Sequence, residues 1–178
     1  MFDWRWDFAF EILPRLLQAT LNTLAAAGIG YGIAVVLGLV FALAQRTPSR
    51  FVTLVVRECV EFIRSTPLVL QIFFVFFVAP QFGIRLSPWV AGMIAIGLHY
   101  SAYLSEVYRG GIEAVPKGQW EACTALNLST TKTYFRVIIP QALPPSLAGM
   151  GNYLVGIFKD TPMLSVIGVA ELMQAANA

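Results

Sequence analysis

The chain has 178 residues, 57% hydrophobic and 12% charged, against roughly 25% charged in ordinary soluble domains. A water-soluble fold of this size would leave too much apolar surface facing solvent, which excludes a soluble enzyme and points to lipid as the surrounding medium. A net charge of +2 with scattered basic residues gives no footprint for nucleic acid.

Residues 1–15 mix aromatic side chains with Asp3, Arg5, Asp7, Glu11 and Arg15, which predicts an amphipathic segment with Trp4 and Trp6 at headgroup level. No basic stretch precedes an apolar run there, so the segment is not read as a cleaved signal. Leu16–Ala44 carries no charge and, at about 1.5 Å per residue, reaches roughly 40 Å, enough for a tilted first span. Its Gly28, Gly30, Gly32 and Gly38 are expected to let another helix approach closely.

After a polar turn at Gln45–Arg50, Phe51–Ala79 is the second predicted span. Its uncharged part, Ser65–Ala79, covers only about 22 Å, short of the roughly 30 Å hydrocarbon core. The length argument therefore draws part of Arg57, Glu58, Glu61 and Arg64 into the helix, with Arg57, Glu61 and Arg64 on one face and able to pair. These charges sit either in the headgroup layer or on a ladder facing a solute path. Pro80–Pro88 is a turn, and Trp89–Tyr108 a third span. Arg109–Pro140 is polar and expected to break at Gly110-Gly111, Pro116 and Gly118. Gln141–Phe158 forms a fourth span, where the Gly149 and Gly151 pair permits close contacts, and Lys159–Ala178 is mixed. The two cysteines, Cys59 and Cys123, are expected to stay reduced, and with one histidine they form no metal-ligand pattern.

Lysine and arginine counts place residues 45–50 and 109–137 in the cytoplasm and the N-terminus outside. Within the longer loop, Gln119–Leu126 reads as a short helix, with Glu121 beside the small residues Ala122, Cys123 and Ala125. Ser129 is placed to cap a second helix running through Arg136, with Pro140 marking its end. By periodicity alone the loop is either a knob for another protein's groove or a solvated surface.

Four ordered motifs carry a family resemblance over most of the chain. Glu121-Ala122-Cys123, Asn127 and Val137-Ile138-Ile139-Pro140 resemble the EAA loop of ABC importer permeases, with Asn127 where that pattern has glycine. Asn tolerates a left-handed backbone, so the turn is expected to survive. Phe62-Ile63-Arg64-Ser65-Thr66-Pro67-Leu68 is similar to the F-x-R-G-T-P-L of polar amino-acid permeases. Tyr103-Leu104-Ser105-Glu106-Val107-Tyr108-Arg109-Gly110-Gly111-Ile112 and the run from Phe158 through Asp160 to Glu171-Leu172 resemble two further motifs of that group. His99-Tyr100, Ala125-Leu126-Asn127 and Asn152-Tyr153 look most like the ectoine/hydroxyectoine branch.

The resemblance implies an all-α polytopic membrane bundle in one domain, 1–178, with four of an expected five spans present and the last, C-terminal span missing. It implies a multi-pass permease of the bacterial inner membrane that moves a small polar or zwitterionic solute by alternating access. Ectoine or hydroxyectoine is the first expectation, and a polar amino acid such as glutamine or arginine the alternative. Implied partners are cytoplasmic ATP-binding subunits, a second, related permease chain, an extracytoplasmic solute-binding protein and lipid. Glu121, Ala122, Cys123, Ala125 and Asn127 would couple to the ATPase.

The chain has no phosphate-binding Gly-x-x-x-x-Gly-Lys-[Ser/Thr] loop, so it is not expected to be an enzyme or to hold a cofactor, and hydrolysis is assigned to the partner. For the solute path the candidates are Glu58, Glu61, His99, Lys159 and Asp160, because charge at bilayer depth needs a partner or a wet cavity. His99 is alternatively a hydrogen-bonded interior residue, and Lys159-Asp160 an adjacent pair at the outer interface. An ATPase-independent channel or a non-transport scaffold are the rival classes.

Overall fold

A computed structural model describes residues 5–177, so the expectations for Asp3, Trp4 and the final Ala178 lie outside the described residues. Every regular element among these residues is helical, as expected of an all-α chain. The first helix, α1 (Trp6–Ala44), runs through Pro14 and the whole predicted first span as one rod of 39 residues, about 58 Å at about 1.5 Å per residue. Among the described residues it is the one helix that is by itself long and apolar enough to cross a membrane.

α1 packs along α4 (Pro88–Glu113), and α4 packs in turn against α7 (Ile139–Asp160). Small side chains make the α1–α4 contact close. Ala26, Ala27 and Ala34 on α1, and Ala91, Ala95 and Ala102 on α4, are fully buried. A Cβ on Gly38 would stand 2.9 Å from both Leu104 Cβ and the Ser101 carbonyl oxygen, so only glycine fits there without displacing the backbone of α4. The expected close approach is found at Gly30, Gly38 and Gly149. It is not found at Gly28, Gly32 and Gly151, which face open space. A spacing of two turns a residue by about 200° around the helix axis, so neighbours in a Gly-x-Gly pair cannot share one contact face.

The second predicted span needs correction. Residues 51–79 are not one helix: α2 (Arg50–Ser65) and the segment from α3 (Leu68–Phe73) to Phe82 meet at 106°. Pro67 explains the elbow, because the residue before a proline is pushed out of the helical region, and Thr66 is extended at φ −98°, ψ 129°. α2 begins at Ser49, whose hydroxyl accepts from Val52 N. Beyond α3 the backbone widens into a π-helical turn over Phe74–Val78 and tightens to a 3₁₀ turn over Ala79–Phe82, ending at left-handed Gly83. Only as a bent pair do α2 and α3–Phe82 meet the length and composition of a span. α4 and α7 are long enough, at 26 and 22 residues, but too polar to qualify alone. Several of their polar groups, including His99, Ser101, Ser105 and Ser146, are buried within the protein instead.

Three predicted breaks are absent, the first at Gly118, which lies in the opening turn of the helix Lys117–Ala125. Gly110 and Gly111 lie inside α4, which ends only before Ala114-Val115-Pro116; a Cβ on Gly111 would meet the Ala142 carbonyl oxygen at 2.9 Å, so this glycine serves packing. Pro140 does not end a helix either. α6 (Thr130–Lys132) passes through a π-helical turn at Thr133–Ile138 directly into α7, whose first turn holds Pro140. The widened π-helical turn just before it is where such a chain accommodates a residue whose nitrogen cannot donate. Ser129 occupies the cap position of α6 with extended backbone, yet its side chain makes no capping hydrogen bond.

Past α7 the chain takes a 3₁₀ turn over Thr161–Ile167, a left-handed Gly168, and a short α8 (Leu172–Asn177). Glu171 is 1% exposed, and its two oxygens accept from Met173 N at 2.8 Å and Gln174 N at 2.6 Å. Leu172 N donates to Thr23 Oγ1, and Asn22 Nδ2 to the Ala170 carbonyl, so this end is hydrogen-bonded to α1. Cys59 and Cys123 are both free.

Candidate functional site

Three places gather polar groups. The first is an open cleft of about 660 Å³ between α4 and α7, lined by His99, Tyr100, Tyr103, Asn152, Tyr153 and Asp160 among others. Spacing of one, three and four residues along α4 puts His99, Tyr100 and Tyr103 on adjoining sides of one helix turn. Tyr153 comes from α7 and closes the set, with its ring centroid 5.4 Å from Tyr103 and 6.1 Å from Tyr100. His99 stands 5.1 Å from the Tyr103 ring. At the end of α7, Asp160 Oδ2 accepts a 2.6 Å hydrogen bond from the Tyr100 hydroxyl, the short distance of a charge-assisted bond. No hydrogen bond reaches its other oxygen among the described residues. The cleft thus gathers a carboxylate and three tyrosine rings, groups of the kind that attract an ammonium or guanidinium group.

The second place is a groove of about 890 Å³ lined by Arg57, Glu58, Glu61, Arg64, Glu106, Arg109 and Glu113, with Tyr134 and residues of the α1–α2 turn. Arg57 pairs with its neighbour Glu58 at 3.5 Å rather than with Glu61, which faces Arg64 at 3.5 Å. All three pairing partners other than Arg64 are well exposed, so these pairs contribute little to stability. Arg109 is better held: Nε and Nη2 reach Glu106 at 3.1 and 2.6 Å, and Nη1 reaches both oxygens of Glu113 at 2.7 and 2.8 Å. Hydrogen bonds to Glu106 and then Glu113 raise its guanidinium further above its ordinary value. Arg64 stands between the groove and the cleft, its guanidinium carbon 5.4 Å from the Tyr103 ring centroid.

The third place is α5 (Lys117–Ala125), close to the predicted 119–126. Its inner face is fixed. Cys123 is buried, the Trp120 ring meets Tyr134 edge-on at 5.5 Å, and Gln141 Nε2 donates to Gln119 Oε1 at 3.3 Å. Val115, Ile138 and Ala142 form a small core beneath it. Glu121, Ala122, Ala125 and Asn127 face outward. Asn127 has φ +50°, the one non-glycine residue with a positive φ among the described residues, as the motif comparison led us to expect. Leu128 N donates to Cys123 O at 3.0 Å and Asn127 N to Thr124 O at 2.9 Å, the paired bonds that close a helix through a left-handed residue. Asn127→Gly is expected to preserve this turn. Asn127→Val should destabilise it by about 1–2 kcal/mol, read as faster protease cleavage between α5 and α6 in the assembled protein.

Of the five predicted solute-path residues, the fold brings His99 and Asp160 into one cleft. It sends Glu58 and Glu61 to the groove and leaves Lys159 exposed outside both. No ion pair joins Lys159 to Asp160 among the described residues; Asp160 turns to Tyr100 instead. The sequence motifs contain Tyr100, Tyr103 and Tyr153 but did not assign them to the path, although the i, i+3 spacing of Tyr100 and Tyr103 was visible; the Glu106–Arg109–Glu113 fork, whose i−3 and i+4 spacing is a recognisable signal, was missed.

Residues 34–178 match the family model described as binding-protein-dependent transport system inner membrane component. Across 184 residues the chain is 45% identical to the probable amino-acid ABC transporter permease protein y4tG of Sinorhizobium fredii (strain NBRC 101917 / NGR234), covering 99% of this chain and 80% of that protein. It is 37% identical to the L-cystine transport system permease protein TcyB of Bacillus subtilis (strain 168), covering 97% and 74%. A solved structure of an amino acid ABC transporter with histidines is similar with a TM-score of 0.91 at 31% identity, covering 98% of this chain and 82% of that one.

Proposed function

The chain belongs to the family of inner membrane components of binding-protein-dependent transport systems, and from that premise we propose that it is the permease through which an ATP-driven importer passes a polar, zwitterionic amino acid. The observation that carries this reading is the cleft of Tyr100, Tyr103, Tyr153 and Asp160. An α-ammonium group fits a carboxylate oxygen flanked by aromatic faces, whose attraction for a cation is worth about 0.5–2 kcal/mol per ring. The relatives named for amino acids and cystine favour this reading over ectoine or hydroxyectoine, the first expectation from the motifs.

In the assembled transporter the N-terminus lies outside, and α5 faces the cytoplasmic ATP-binding subunits. Glu121, Ala122, Ala125 and Asn127 form the contact, while buried Cys123 shapes it from beneath. A second permease chain and an external solute-binding protein complete the complex. Glu58 and Glu61 belong to the charged groove, a cytoplasmic vestibule downstream of the cleft.

Co-reconstitution in proteoliposomes with the ATP-binding subunits and the binding protein tests the proposal, using labelled L-glutamine, L-arginine, L-cystine and ectoine. ATP-dependent uptake of an amino acid is the expected result. Uptake of ectoine alone would replace the solute, and solute flux without ATP would replace the importer by a channel.

A further inference from the structure

The turn between α1 and α2 lines an open cavity of about 440 Å³ in addition to its share of the charged groove. Arg46, Arg50 and Arg57 surround it with Gln45, Thr53 and Leu54, and among the described residues no carboxylate lines it. Arg46 and Arg57 also border the groove, where the acids stand. Arg57 meets Glu58 there at 3.5 Å, but both side chains are well exposed, and a pair of that kind is too weak to hold the guanidinium. The Arg46 and Arg50 guanidinium groups enter no ion pair among the described residues. Gln45 adds a donor that the protein leaves unsatisfied, its Nε2 being buried without a partner.

Positive groups gathered without an acid repel one another. An anion among them removes that repulsion, and the forked guanidinium matches the oxygens of a phosphate. The cavity also lies at the start of α2, a helix of 16 residues whose positive end adds to the same field.

Depth decides which phosphate. Residues 16–44 carry no charge, so the hydrocarbon layer ends close to Ala44, and Arg46 and Arg50 are the first basic groups beyond it. The cavity therefore stands at headgroup level. Leu43 of α1 and Phe51, Leu54 and Val55 of α2 are exposed beside it. A soluble phosphate leaves that apolar surface bare, whereas the acyl chains beneath a headgroup cover it.

We propose that the α1–α2 turn is a binding site for the headgroup of an anionic phospholipid, whose phosphate is held by Arg46, Arg50 and Arg57 while its acyl chains lie over Phe51 and Leu54. Selection follows from net charge. Phosphatidylcholine carries the same phosphate, but its choline cation meets three like charges. The proposal rests on the place of α1 in the membrane and is independent of the solute cleft.

The test is native mass spectrometry of the purified permease–ATPase complex in detergent. It is titrated with dioleoyl phosphatidylglycerol, with dioleoyl phosphatidylcholine and with soluble sn-glycerol 3-phosphate. The wild-type complex is expected to bind phosphatidylglycerol about tenfold or more tightly than either of the others. Arg46→Gln, Arg50→Gln and Arg57→Gln should each weaken phosphatidylglycerol about fivefold, and the triple variant should erase its advantage over phosphatidylcholine. Arg46→Lys, which keeps the charge, should keep most of the preference. Arg136→Gln, exposed and outside the cavity, should leave it intact. Should the triple variant fail to assemble, the single variants carry the same comparison. Equal affinity of the wild type for the two lipids, or equal losses from Arg136→Gln and the cavity variants, overturns the assignment. Glycerol 3-phosphate binding as tightly as phosphatidylglycerol overturns it too, in favour of a soluble phosphate ester.

Discussion

Replacing Glu121 by arginine in the complete transporter is expected to abolish co-purification of the ATP-binding subunits while the permease still inserts and folds. Glu121 lies on the outward face of α5 and enters no ion pair or hydrogen bond among the described residues. A surface substitution of that kind changes intrinsic stability by about 0.5 kcal/mol at most. What it changes is the face proposed to dock on the ATP-binding subunits. The inner side of α5 is pinned by Cys123, by the Trp120–Tyr134 contact and by the Gln119–Gln141 bond, so the helix presents Glu121 from a rigid base and cannot turn the new charge aside. Where Glu121 meets a basic group of the ATP-binding subunits, the reversed charge sets like charges across the interface, at a cost of several kcal/mol, enough to reduce association by about a hundredfold or more. Glu121→Gln should weaken docking less, because it removes an attraction without creating a repulsion. The measurement is affinity capture through the tagged permease, with the ATP-binding subunits quantified against the membrane-inserted chain. Full retention of those subunits by Glu121→Arg would move the coupling face away from α5.

How far the sequence reaches is clearest at three places. Asn127 is legible because a local rule governs it: a glycine position in a helix-ending turn demands a left-handed backbone, and asparagine is a residue that adopts it, here at φ +50°. The second span is misread because two signals compete. Hydrocarbon thickness argues for drawing Arg57 to Arg64 into one straight helix, whereas Pro67 forces Thr66 into extended geometry; the stereochemical constraint wins, and the chain turns through 106°. The cleft is half legible. His99 and Asp160 attract attention as ionisable groups in apolar surroundings. Tyr153 enters only as part of a quoted motif, because its place opposite Tyr100 and Tyr103 arises from the packing of α7 on α4. Periodicity reports which face of a helix a residue occupies, but not which residue from another helix will stand opposite. For the same reason Lys159 and Asp160, adjacent in sequence, part company: consecutive helical residues point about 100° apart, and only Asp160 is turned toward Tyr100.

Asp160→Asn is expected to reduce ATP-driven uptake by about two orders of magnitude. The substitution preserves volume and shape, so the Tyr100 hydroxyl keeps an acceptor at the same place, now neutral rather than charged. On the proposed reading the loss falls on the solute's cation, which exchanges a carboxylate for a neutral amide. A hydrogen bond to a charged group is worth about 1.5–3 kcal/mol, or about 10- to 150-fold in the relevant equilibrium. Tyr100→Phe separates two contributions of the same corner. It keeps the ring face that attracts a cation and removes the hydroxyl that orients the carboxylate, so uptake should fall by about tenfold or less. The order of effect, Asp160→Asn above Tyr100→Phe, follows from charge outranking orientation. Initial uptake rates in proteoliposomes measure both, and co-purification of the ATP-binding subunits distinguishes a transport defect from a failure to assemble. Uptake by Asp160→Asn at the wild-type rate would mean that the solute's positive group never meets this carboxylate, and the passage would then have to be sought along the charged groove of α2 and the end of α4.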